Sequence, residues 1–135
     1  EAFEEWNLAS FQAVAAFRKT PLLLENLPEK PFHTLAGLSN LLNKTGCALN
    51  VDVGHCHVAG ERVLEEFLAS GLVRHAHVSD NDGKTDGHLA LGHGTLDLGR
   101  AKAALDNARV PDVTIESYAG GMQGVLSSKK AWDAL

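Results

Sequence analysis

The stretch Ala48-Leu49-Asn50-Val51-Asp52-Val53 decides the fold. Successive residues of a strand face opposite ways, so Leu49, Val51 and Val53 share one side while Ala48, Asn50 and Asp52 share the other. One face is wholly apolar, as packing under helices requires; the other turns polar toward the end of the strand. The alternation recurs at 113–116, where Val113 and Ile115 oppose Thr114 and Glu116, and at 72–78, where Val73, His75 and His77 are expected to lie together. A doubly wound sheet is covered on both faces and shows near-continuous apolar strands. The alternation predicts instead strands that line the interior of a barrel.

Between these strands the apolar period changes to that of helices. Residues 3–18 place Phe3, Trp6, Val14 and Phe17 near one face. Residues 34–44 carry Leu35, Leu38, Leu41 and Leu42, with Gly46 where a C-cap belongs. Residues 60–70 (Val63, Leu64, Phe67, Leu68) stop at Gly71, and 98–108 run through Leu98, Ala101, Ala104 and Leu105. A short strand is expected at 22–26 after Pro21, a loop at 54–57, and a short helix around 131–135. Strands alternating with helices in this order indicate parallel βαβ units. No linker or low-complexity run divides the chain, so residues 1–135 are expected to form a single domain.

Composition narrows the function. The 135 residues can bury a real core, and 44% hydrophobic with 21% charged residues is ordinary for a globular protein. With a net charge of −5 and no basic cluster, nucleic acid is not an expected partner. Cys47 and Cys56 form neither a disulfide framework nor a paired metal motif. No apolar run reaches membrane-spanning length and the first residues are no signal peptide, so no membrane partner and a cytoplasmic location are expected.

The chemistry lies at the strand ends. Each strand closes on a potential metal ligand: Glu25, Asp52, His77 and Glu116. In a (β/α)₈ barrel, catalytic groups from several strands converge at the C-terminal mouth. Carboxylates crowded there repel one another unless a cation neutralises them. Three carboxylates and an imidazole suit one divalent metal, Mn²⁺ or Mg²⁺, and tolerate Zn²⁺ or Co²⁺. Beyond His77, the run to Gly94 is dense in ligand types, including Asp80, Asp82, Asp86, His88 and His93. It reads either as further ligands or as a solvated polar loop.

At these residues the chain resembles a known family. Leu24-Glu25-Asn26, Asp52-Val53-Gly54-His55-Cys56-His57, His77-Val78-Ser79-Asp80-Asn81, Asp86-Gly87-His88-Leu89-Ala90-Leu91-Gly92 and Ile115-Glu116 are similar to motifs of the xylose isomerase-like barrel superfamily. That superfamily holds sugar-phosphate isomerases and epimerases, inosose dehydratases and endonuclease IV-type repair enzymes. The resemblance implies an α/β fold made of about the last four βα units of a (β/α)₈ TIM barrel. It also implies Glu25, Asp52, His77 and Glu116 as ligands of one divalent metal, with His55 beside the metal or against substrate. In the endonuclease-like branch Asp86 and His88 would bind further metal; in the sugar branch they would shape the pocket or touch substrate. The family often has a glutamate where Gly92-His93-Gly94 places His93, which is expected to fill a loop. A half-barrel leaves two sheet edges open. The expectation is therefore a fragmentary product, a half that pairs with a missing N-terminal half-barrel, or a homo-oligomer.

Three functions follow from that resemblance. The first is a metal-dependent isomerase or epimerase of a small sugar or sugar phosphate, passing through an enediolate held by the metal. Glu25 and Glu116 would move the carbon-bound proton, with His55 steadying the oxygen charge. The second is endonuclease IV-like hydrolysis of the phosphodiester at abasic DNA, favoured by Asp86 and His88 and opposed by the acidic charge balance. The third is a non-catalytic half-barrel subunit or fragment. Among the remaining residues, the turn at Gly92–Thr95 before a helix could take a phosphate or simply reverse the chain. Cys56 is expected to pack, His33 and His57 to lie on the surface, and Trp6 and Trp132 to pack in the core.

Overall fold

The computed structural model describes residues 8–14, 20–60 and 62–135. Residues 8–14 are helical (α1), whereas Phe3, Trp6 and Phe17 of the expected first helix lie outside the described residues. There follow β1 (Leu23–Glu25), α2 (Leu35–Thr45), β2 (Ala48–Asp52), α3 (Val53–Ala59), α4 (Val63–Ala69), β3 (Val73–Val78), α5 (Leu98–Asn107), β4 (Val113–Ile115) and α6 (Gly121–Asp133). The sheet runs β1-β2-β3-β4 in chain order, and every neighbouring pair is parallel. This is an α/β sheet of the partial TIM-barrel kind. All four strands therefore end at one rim, where Asp52 lies beside His77 and His77 beside Thr114.

The apolar face forms the core. Leu24, Leu49, Val51, Val53, Ala76 and Val78 pack with Leu38, Leu41 and Leu42 of α2, Phe67 of α4 and Leu105 of α5. Trp132 packs at the edge of this cluster, as its helix position suggested. Helix α2 starts where the Thr34 hydroxyl accepts the Gly37 N–H at 3.3 Å. It ends at Gly46, whose φ of +63° is the left-handed conformation that favours glycine.

Three local expectations are corrected. Residues 54–57 are helical, within α3, because the Asp52 side chain caps that helix by accepting the His55 N–H at 2.7 Å. Helix α6 spans Gly121–Asp133, well beyond the short helix expected around 131–135. Its buried contacts, Gly124 and Ser128, are small or polar residues that leave little apolar period to read. Third, Val73 joins the core with Ala76 and Val78 and parts from His75 and His77. The β2–β3 register shifts between Leu49 and Asn50, and such an irregularity reverses side-chain parity.

Among the described residues Phe67 is the largest fully buried side chain. Phe67→Ala is expected to cost about 3–5 kcal/mol through lost transfer energy and the cavity left behind. Urea unfolding checks this: the midpoint should fall with the slope unchanged.

Candidate metal centre

The four strand-end residues meet. Glu25, Asp52, His77 and Glu116 each present a ligand atom, all within 4.8 Å of one another. His77 Nδ1 lies 2.9 Å from Glu116 Oε2 and 3.3 Å from Glu25 Oε1, yet makes a hydrogen bond to neither. Asp52 Oδ2 is buried with no hydrogen-bond partner among the described residues. An imidazole nitrogen and three carboxylates thus converge on one small space, with His77 Nδ1 and Asp52 Oδ2 left without hydrogen-bond partners among the described residues. That donor set and that convergence fit a divalent cation.

The three carboxylate residues are held from behind. The Asn26 amide continues the β1–β2 ladder past its last strand residue, accepting the Asp52 N–H at 2.7 Å and donating to the Asp52 carbonyl at 3.1 Å. Asn50, inward-facing on β2, donates to Glu25 Oε2 at 3.0 Å. The Tyr118 hydroxyl donates to Glu116 Oε1. Burial pushes the Asp52 carboxyl up to about 6; Glu25 and Glu116 add to the shift, while His55 and its backbone N–H oppose it.

A second cluster lies alongside, with ligand atoms of His55, Asp86 and His88 also within 4.8 Å of one another. His55 Nδ1 is 2.7 Å from the Asn26 carbonyl, and His88 Nδ1 is 2.8 Å from the Glu116 carbonyl. A carbonyl only accepts, so each Nδ1 carries its hydrogen, and a ring in its neutral form has its lone pair at Nε2. Both Nε2 atoms lie 3.1 Å from Asp86 Oδ2. Either a proton or a metal ion must sit among these acceptors. Burial works against a charged His55, but Asp52, the Asn26 carbonyl, Asp86 and Glu25 outweigh it, so its pKa is raised. Imidazoles whose far nitrogens are tied to backbone carbonyls are oriented as metal-ligating histidines usually are.

The loop that carries Asp86 and His88 is fastened at two places. Buried Asp80 accepts backbone N–H groups from Asn81, Gly92, Gly94 and Leu96. The loop passes so close that a Cβ on Gly94 would lie 2.3 Å from Asp80 Oδ1 and from the Asn81 carbonyl. On its other side, buried Ser128 of α6 accepts the Leu91 N–H at 2.9 Å, and Ser117 bonds both Ser128 and the Leu89 carbonyl. His88 sits at φ +42°, a strained conformation held by N–H groups of Tyr118 and Ala119 on its carbonyl.

Of the seven residues singled out in the sequence, four form the first cluster and three the second. His55 thus groups with Asp86 and His88 through Nε2, while its Nδ1 lies 3.8 Å from Asp52 Oδ1 and 4.0 Å from Glu25 Oε1. His93 is exposed and belongs to neither cluster. His33 and His57, expected on the surface, are half-buried, and His57 Nε2 lies 2.9 Å from Thr95 Oγ1. Cys56 packs as expected; burial raises its thiol far above the usual range and leaves it inert. Asn26, Asn50, Asp80 and Tyr118 were not foreseen in their roles. Asn26 stands next to Glu25 in the sequence, but its amide partners are 26 and 30 residues away.

A parallel sheet whose strand ends gather three carboxylates and an imidazole is arranged like the C-terminal rim of a TIM barrel. The chain belongs to the xylose isomerase-like TIM barrel family, whose model matches residues 3–133. A crystal structure of a D-tagatose 3-epimerase-like protein superposes with a TM-score of 0.69 and 23% identity. The match covers 84% of this chain and 46% of that one, so the chain spans just under half the length of the protein it matches. At that identity the likeness concerns the fold. No curated protein matches. Among the described residues, no helix is long and apolar enough to cross a membrane.

The Asp52 shift sets a pH dependence for the metal-free chain. The folded carboxyl keeps its proton up to about 6, against an ordinary 3.8, so between these values the folded state binds more protons. Stability then falls as pH rises through that window and stays lower above it, by up to about 3 kcal/mol. Asp52→Asn keeps an oxygen for the α3 cap and is expected to abolish the fall. Thermal melts in EDTA across this window check it; a variant with the wild-type slope contradicts the assignment.

Proposed function

We propose that residues 1–135 form one domain carrying the metal-binding wall of a sugar or sugar-phosphate isomerase or epimerase site. The observation that carries the reading is the convergence of Glu25, Asp52, His77 and Glu116 within 4.8 Å. Members of the family generally use divalent metals, and the epimerase-like neighbour supports a small sugar as substrate. Those four residues would hold Mn²⁺ or Mg²⁺, with Zn²⁺ or Co²⁺ also compatible. Bound there, the ion would neutralise the carboxylates and polarise a substrate carbonyl.

The glutamates then have distinct tasks from Asp52 and His77. Glu25 and Glu116 come from the two outer strands and reach the cluster from opposite sides. Each has one oxygen tied down, Glu25 by Asn50 and Glu116 by Tyr118, and the other facing His77. One carboxylate removes the proton from the carbon beside the carbonyl and the other returns it, a step worth about 10²–10⁴ in rate. His55, its Nδ1 fixed on the Asn26 carbonyl, directs Nε2 toward Asp86 and any substrate oxygen that enters there. Asp86 and His88 shape that side of the pocket. Two buried free thiols, Cys47 and Cys56, suit a reducing compartment such as the cytoplasm.

The second cluster favours one rival reading. Were His55, Asp86 and His88 to hold a second ion, the site would suit hydrolysis of a phosphodiester at an abasic position. Two bound ions per chain and cleavage of an abasic duplex, weakening with salt, would carry that reading over the first.

Two measurements test the proposal. Loss of a supporting contact usually weakens metal binding 10–100-fold, so His77→Ala, which removes a ligand, is expected to lower Mn²⁺ affinity by at least about 100-fold. Titration followed by electron paramagnetic resonance reads this, and wild-type affinity in the variant overturns the ligand set. In protein with sugar-isomerising activity, Glu116→Gln should abolish exchange of the substrate's carbon-bound proton with solvent. Retained exchange removes Glu116 from proton transfer.

A further inference from the structure

We infer that Tyr118 is a positioning residue that holds Glu116 of the first cluster and His88 of the second in register with each other; this rests on the proposed metal reading. Tyr118 is the only tyrosine of the chain and is 64% exposed, so burial does not explain its placement. It follows β4 by three residues. Ser117 turns inward onto Ser128 and the Leu89 carbonyl, which leaves its neighbours Glu116 and Tyr118 together at the rim. The Tyr118 ring stacks on His88, with centroids 4.4 Å apart and planes 21° apart. Its hydroxyl donates to Glu116 Oε1. His88 closes the circuit, donating from Nδ1 to the Glu116 carbonyl and accepting the Tyr118 N–H on its own carbonyl at 3.0 Å.

Two consequences follow for the ligands. With Oε1 taken by the phenol, Glu116 offers Oε2 to the first cluster, where it stands 2.9 Å from His77 Nδ1. With its plane fixed by the stacked ring, His88 directs Nε2 at Asp86. One side chain thereby sets the aim of a ligand in each cluster, and its two interactions can be separated. Tyr118→Phe keeps the stack and loses the hydroxyl; Tyr118→Ala loses both.

The test uses tyrosine labelled at Cζ, which gives a single NMR resonance in this chain. That resonance is expected to move in Glu116→Gln and in His88→Ala. An unmoved resonance in Glu116→Gln overturns the positioning role. Mn²⁺ titration supplies the functional arm. Tyr118→Phe is expected to weaken the Glu116 cluster by about 10-fold with stoichiometry unchanged, the usual effect of losing a supporting hydrogen bond. Tyr118→Ala should weaken it further. Wild-type affinity in Tyr118→Phe, with its fold confirmed by an unchanged thermal melt, overturns the inference. A wild-type chain that takes up no Mn²⁺ overturns the metal reading and, with it, the role in aiming metal ligands. A moved resonance in that case shows that the metal reading failed and not the Tyr118–Glu116 contact.

Discussion

Asp52 is completely buried, and its two carboxylate oxygens meet different surroundings. One oxygen accepts the His55 N–H and starts α3; the other has no hydrogen-bond partner among the described residues and faces the side chains of Glu25, His77 and Glu116. A buried carboxylate beside two other acidic groups is costly unless its charge is met. The raised Asp52 pKa is the sign of that cost in the metal-free chain. A cation at the strand ends would reverse it. The Asn26 amide holds the Asp52 backbone on both its donor and acceptor sides.

Other features at the rim follow from that placement. Capping by Asp52 brings His55 into the first turn of α3, where its ring reaches the Asn26 carbonyl and Asp86. The second cluster is therefore attached to the first through a single short helix. A parallel attachment exists at the other edge, where the Glu116 backbone holds His88 while the Glu116 side chain faces His77. The two clusters share supports, so a change at one is expected to be felt at the other.

The loop between β3 and α5 shows how a long connection is made rigid without regular structure. Four backbone N–H groups on the buried Asp80 carboxylate satisfy its charge and fold the 92–96 segment around it. The Ser117–Ser128 pair ties the opposite side of the loop to α6. These contacts leave the segment with His88 little freedom, which explains why its left-handed backbone is tolerated.

The chain's own pattern determined the α/β class, the parallel order and the four strand-end residues that converge at the rim. Alternation in 48–53 and 113–116 records directly which face meets the helices, because a strand has a period of two. It also placed Glu25, Asp52, His77 and Glu116 at one topological level, and TIM barrels put their chemistry at that level. Pattern failed where a local rule was interrupted. The register shift moved Val73 to the core face, and a side-chain cap turned the expected 54–57 loop into helix. Tertiary structure alone decided the supporting partners: Asn26 for Asp52, Asn50 for Glu25, Tyr118 for Glu116, and Asp80 for the loop. Hydrogen bonds of this kind depend on distance and direction between residues far apart in sequence. A sequence carries the identity of such donors and acceptors, but only the folded chain brings them within reach.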